Sequence, residues 1–91
     1  MNAQKIFDAL SEDQENSALG IICSELEGQG YKVAIDGEKV DSDGFFNGKY
    51  TAIENKIEPL KVTLFKGDAL DQEFVIQFTD FHEFIIKPKG D

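Results

Sequence analysis

Apolar residues recur at helical spacing up to Gly28 and alternate with polar ones after it. A change from a 3.6-residue to a two-residue period predicts helices followed by antiparallel strands. Residues 2–10 read as a short helix with Ile6, Phe7 and Leu10 on a common side. Ser11 is the expected N-cap of a second helix, with Glu12 and Asp13 in its first turn and Gln14 completing a Ser-x-x-Gln capping box. That helix is expected to run to about Glu27, with Gly28 or Gly30 as its stop. Its apolar stripe is Leu19, Ile22, Cys23 and Leu26, at i, i+3, i+4 and i+7. Ile21 falls off that stripe and needs another cover, for which the first helix is the nearest candidate. Gly20, inside the helix, costs about 1 kcal/mol against alanine and marks a candidate close approach.

From Tyr31 the chain alternates. Tyr31, Val33 and Ile35 point one way, and Asp36-Gly37 predicts a two-residue type I′ turn that sets Ile35 opposite Glu38 and Val33 opposite Val40. Asn47-Gly48 predicts a second such turn, with Phe46 opposite Lys49 and Phe45 opposite Tyr50. Glu54 to Pro59 is a connector, because proline lacks a ladder donor. Further strands are expected through Leu60, Val62 and Leu64, through Phe74, Ile76 and Phe78, and from Phe81 to Lys87, with a polar loop over Gly67–Gln72. The order predicts a single α+β domain over 1–91: a short N-terminal helix and one longer helix packed on an antiparallel meander of about five strands. If the Leu60 and Phe74 sets face the long helix, Phe65, Val75, Phe84 and Ile86 are left for the far face. A sheet with one wet face alternates cleanly, and these strands do not. The far face therefore calls for helix 1, a second subunit, a partner, or a monomer whose sheet curls enough to bury both faces, and a homodimer or a stable hetero-complex is the expectation.

Composition narrows the classes. With 41% apolar and 11% aromatic residues the chain folds rather than staying disordered, and 91 residues hold one core. The run Ala18–Cys23 is far short of a membrane span, and residues 1–10 have no apolar core of signal-peptide length. One cysteine excludes an internal disulfide and fits a reducing compartment, so a cytoplasmic protein is expected. The net charge of −9 comes from 18 acids against nine lysines, with no arginine to fork onto phosphate or guanine edges. Direct binding to nucleic acid or to an anionic membrane is not expected. Most of the excess acidity lies in residues 8–43, so an electrostatic partner is expected to be basic and to meet that half of the chain.

Candidate chemistry is sparse. Asp41-x-Asp43-Gly44-x-Phe46 resembles the middle of a calcium-binding EF-hand loop, but Lys39 and Tyr50 then occupy the first and last ligand positions. A cation replaces a carboxylate and the bidentate chelate is lost, so a turn is the expected reading. Cys23 lies in an apolar stripe, where an inert buried thiol is expected. His82 is the lone imidazole, two residues from Asp80, and by itself makes neither a metal site nor a triad. Asp8, Glu12 and Glu15 fall at i, i+4 and i+7 if the two helices are continuous, which the cap at Ser11 argues against. No phosphate loop, Cys-x-x-Cys or His-Glu-x-x-His pattern is present, and neither a cofactor nor a metal is implied.

The expectation is a non-enzymatic acidic interaction domain, inhibitor-, immunity- or adaptor-like, that binds a basic protein. Asp8, Glu12, Glu15, Asp41 and Asp43 would steer that partner, and Phe65 and Phe84 would anchor it. The alternative is a small-ligand or cation carrier built on the sheet, and a third reading is a minimal enzyme using carboxylates with His82.

Overall fold

The computed structural model describes residues 3–13, 15–55, 58–80 and 83–88. Helix α1 spans Ala3–Glu12 and α2 spans Ala18–Gly28. Strands β1 (Lys32–Ile35) and β2 (Glu38–Val40) follow, then short helices α3 (Ser42–Phe46) and α4 (Thr51–Glu54). Strands β3 (Leu60–Lys66), β4 (Ala69–Asp80) and β5 (Glu83–Pro88) complete an antiparallel sheet of order β2-β1-β3-β4-β5. The architecture is the expected α+β one, with five strands and two additional short helices.

The break between α1 and α2 falls later than Ser11. Ser11 stays in the last turn of α1, where its hydroxyl donates to the Phe7 carbonyl at 3.0 Å. The carboxylate of Asp13 accepts from the Glu15 and Asn16 amides, both at 3.1 Å, and turns the chain. Ser17 is the N-cap of α2, its Oγ accepting from the Gly20 amide at 3.1 Å. The expected role of Gln14 lies outside the described residues. At the other end Tyr31 N–H donates to Leu26 O and Gly30 N–H to Glu27 O, with Gly30 at φ 93°. This is a Schellman stop, and Gly30 is the left-handed residue it requires.

The β1–β2 hairpin has the expected register, Val33 opposite Val40 and Ile35 opposite Glu38. Asp36 and Gly37 at φ 52° and 85° form its I′-type turn. The second Asn-Gly pair does something else. Asn47 is the C-cap of α3, Gly48 sits at φ 84°, and Lys49 N–H donates back to Gly44 O at 2.8 Å. Asn-Gly supplies the same left-handed conformation in a hairpin turn and in a helix stop, and here it stops a helix. Phe45 and Tyr50 therefore pack tilted in a helical corner, ring centroids 5.0 Å apart, instead of pairing across strands. The expected polar loop over Gly67–Gln72 is also shorter: Lys66 pairs with Ala69 around a Gly67-Asp68 turn, and β4 runs for 12 residues.

The core lies between one face of the sheet and the helices. Val33, Ile35, Leu60, Val62, Leu64, Phe74 and Ile76 face inward and join Ile6, Leu10, Leu19, Ile22, Cys23 and Leu26 in one cluster. Ile21 is buried as well, since α2 is packed by α1 and α3 as well as by the sheet. Gly20 is the point of closest approach between α2 and α3: a Cβ there would sit 2.7 Å from Phe46 Cε1 and 3.2 Å from Phe45 Cβ.

The expected grouping of the far face is corrected. Phe84 pairs with Phe78, and Ile86 with Ile76, so both belong to the helix-facing side. Phe84 is 7% exposed and stacks on Phe7 of α1 with centroids 5.1 Å apart. Helix α1 thus lies on the same face as α2 and does not pass under the sheet. A β-bulge between Phe78 and Asp80 resets the alternation ahead of β5.

Candidate functional site

The open face of the sheet is read off the register. One row runs Lys39, Ala34, Thr63, Glu73; the next runs Lys61, Val75, Lys87; and Lys32 lies opposite Phe65 and then Leu70. Ala34 and Thr63 are buried by their neighbours, Phe65 and Val75 are half-buried, and the lysines are exposed. Four of the nine lysines thus share one face of the molecule. The carboxylates of Asp8, Glu12, Glu15, Asp43 and Glu25 lie on the helices and their connectors, in the other layer.

Within the helical layer many acids are already engaged. The Glu27 carboxylate accepts from Ser42 N at 3.0 Å and from Ser42 Oγ at 2.8 Å, clamping the end of α2 to the start of α3. Asp41 is the N-cap of α3, its Oδ1 accepting from Gly44 N at 2.6 Å. Glu54 accepts from Ser17 Oγ at 2.6 Å and ties α4 to the cap of α2. Carboxylates at helix N-termini satisfy orphan amides and oppose the helix dipole. The Asp-x-Asp-Gly segment is accordingly a helix start with an Asp cap. No group of carboxylate, cysteine or histidine side chains suited to a metal occurs among the described residues.

Asp8, Glu12, Glu15 and Asp43 are exposed to solvent. Asp8 and Glu12 lie one turn apart on α1, with Asp8 Oδ1 accepting from Gln4 Nε2 at 2.9 Å. Glu12 and Glu15 line a shallow, open hollow of about 400 Å³ with Ser11 and Asp13. The interrupted helix still brings Glu12 and Glu15 together. Asp43 sits on α3, one turn before Phe46, which is 46% exposed. Phe7, 41% exposed, borders Asp8 on α1. Phe46 was expected in a strand and Phe7 inside the core, so neither stood out as a surface aromatic. The two aromatics expected as anchors separate instead: Phe65 is on the open sheet face and Phe84 is in the core.

A second cleft, of about 310 Å³, opens where β2 ends and the chain turns into α3. Tyr31, Val33, Val40 and Phe65 form its apolar lining, with Lys32, Lys39, Glu27, Asp41 and Asp68 around them. The Lys66 ammonium lies 5.3 Å from the centre of the Tyr31 ring.

Cys23 is 1% exposed and is no nucleophile. Burial pushes its thiol up to about 12, and the neighbouring Glu27 and Asp41 carboxylates add to the rise. His82 lies outside the described residues. No helix among the described residues is long and apolar enough to cross a membrane. Comparison with family models, with curated proteins and with solved structures gives no match.

Proposed function

We propose that this chain is a non-enzymatic interaction domain whose acidic helical layer binds a basic protein. The observation that carries the reading is a difference in charge between the two layers: Lys32, Lys39, Lys61 and Lys87 share the open sheet face with Glu73 and Glu83, whereas Asp8, Glu12, Glu15 and Asp43 lie exposed on the helices and their connectors. A field divided in this way orients a basic partner before contact and favours the helical side. Asp8, Glu12, Glu15 and Asp43 supply the steering charge, and Phe7 and Phe46 supply apolar contact area beside it. Asp41 is left out of the set because its carboxylate serves as a cap. With no arginine in the chain, nucleic acid is not the proposed partner.

The test is affinity capture from host lysate at low and high salt, followed by association kinetics with the retained protein. Neutralising Asp8, Glu12 and Glu15 as Asn and Gln should slow association about tenfold at low salt. Neutralising Lys32, Lys61 and Lys87 as Gln should not slow it. Kinetics that ignore both salt and the acidic set would overturn the reading, and so would loss of binding in the lysine set alone.

The cleft beneath Tyr31 supports the second reading, a small-ligand carrier. Apolar walls ringed by a few charges are the usual make-up of a ligand site, and its volume is near the lower end for one.

A further inference from the structure

We propose that two copies of this chain join edge to edge through β5, extending the sheet across a two-fold axis at Ile85. The two sheet edges differ. Strand β2 has only three residues and runs straight into α3, so it offers little backbone to a newcomer. Strand β5 has six residues, and no other strand among the described residues pairs with its outer edge. An open edge of that length presents unpaired N–H and C=O groups to any strand that fits.

The sequence of β5 is complementary to itself in one antiparallel register. With Ile85 opposite its own copy, Glu83 meets the partner's Lys87 and Lys87 meets the partner's Glu83. These pairs share the open face of the sheet with Ile85, which is 44% exposed. On the helix-facing side Phe84 meets the partner's Ile86, which continues the core across the junction. Ile86 is half-buried in the single chain, and Phe7, stacked on Phe84, keeps 41% of its surface at the same border. Two of the four large exposed apolar side chains among the described residues, Phe7 and Ile85, therefore lie along this edge. Opposite charges at both ends and apolar groups between them select a second copy rather than a generic strand. The proposal does not rest on what the helical layer binds.

The test combines light scattering or sedimentation over a wide concentration range with a charge swap. The wild-type chain should show a concentration-dependent monomer–dimer equilibrium. Glu83→Lys and Lys87→Glu should each weaken it about tenfold, because each places like charges opposite one another at both ends. The combined variant restores opposite pairs and should return to within about threefold of wild type. As a positional readout, Ile85→Cys should form a disulfide-linked dimer under mild oxidation, since residues facing each other across antiparallel strands are about 4.5–5.5 Å apart at Cα. Leu70→Cys, exposed on β4, should stay monomeric under the same treatment. Buried Cys23 leaves that measurement clean. A monomer at every concentration up to about 1 mM would overturn the proposal. A dimer indifferent to the charge swap, or one trapped by Leu70→Cys and not by Ile85→Cys, would also overturn it.

Discussion

Gly44→Ala should be among the most damaging single-methyl additions in this chain. A Cβ at Gly44 would overlap the Tyr50 ring, with Cε2, Cδ2 and Cζ all inside ordinary contact distance. The ring has little room to retreat: Tyr50 is 8% exposed and packs against Phe45 at 5.0 Å. The Gly44 amide is also held by Asp41, which fixes the backbone against a compensating shift. Overpacking a closed site costs about 1–3 kcal/mol. Alanine regains at most about 1 kcal/mol of helix propensity over glycine. We expect a net loss of about 2 kcal/mol, taken from the upper part of the overpacking range less part of the propensity gain. In a domain of this size that lowers the melting temperature by about 10 °C. Urea and thermal unfolding followed by circular dichroism measure it, and a second background isolates the cause. In Tyr50→Leu, which removes the ring edge, the further loss from Gly44→Ala should fall below about 0.5 kcal/mol, so the two sites couple strongly. Equal losses in both backgrounds, or no loss in the wild type, would refute the steric account.

Two further outcomes are expected. Because the Cys23 thiol is raised from 9.0 to about 12 in the fold, its contribution is fully present below pH 9 and is lost as pH climbs towards 12. Stability should therefore fall over that window by up to about 1.4 kcal/mol per pH unit, beyond any change shared by Cys23→Ala, as read from urea midpoints. Phe84→Ala should cost about 3–5 kcal/mol as a core truncation, whereas Phe65→Ala, half-buried on the open face, should cost less than half as much in the same assay.

Much of the fold was legible in the chain. Asp36-Gly37 between alternating residues named both a turn type and a register, because a two-residue I′ loop admits one pairing of its flanks. Asn47-Gly48 misled for a physical reason: a left-handed glycine serves a hairpin and a helix stop equally well. Only the cap at Asp41, three residues before Gly44, favours the helix. The break after α1 was misplaced because Ser11, Asp13 and Ser17 are all plausible cap residues by type, and tertiary packing chooses among them. The face of Phe84 was hidden by a bulge near Thr79, which changes the parity of alternation without a marker in composition. The candidate site was half legible. Acidity is evident along the chain, but the sharing of one face by Lys32, Lys39, Lys61 and Lys87 emerges only when strands are placed side by side. Phe46 escaped notice because its surroundings were read as extended.

The strand order also divides the work of folding. Strands β3, β4 and β5 are joined by short connections and pair with their sequence neighbours, and β1 and β2 do the same. The seam between the two groups, where Ile35 meets Val62, spans two helices' worth of chain. Closing a loop of that length costs about 3 kcal/mol in chain entropy beyond the fixed cost of closure. That cost falls due before the seam's contacts form, which places the slow step of assembly at the docking of β1 on β3. The same seam is the one long-range pairing in the sheet, joining the hairpin of β1 and β2 to the three strands that end at the edge strand β5.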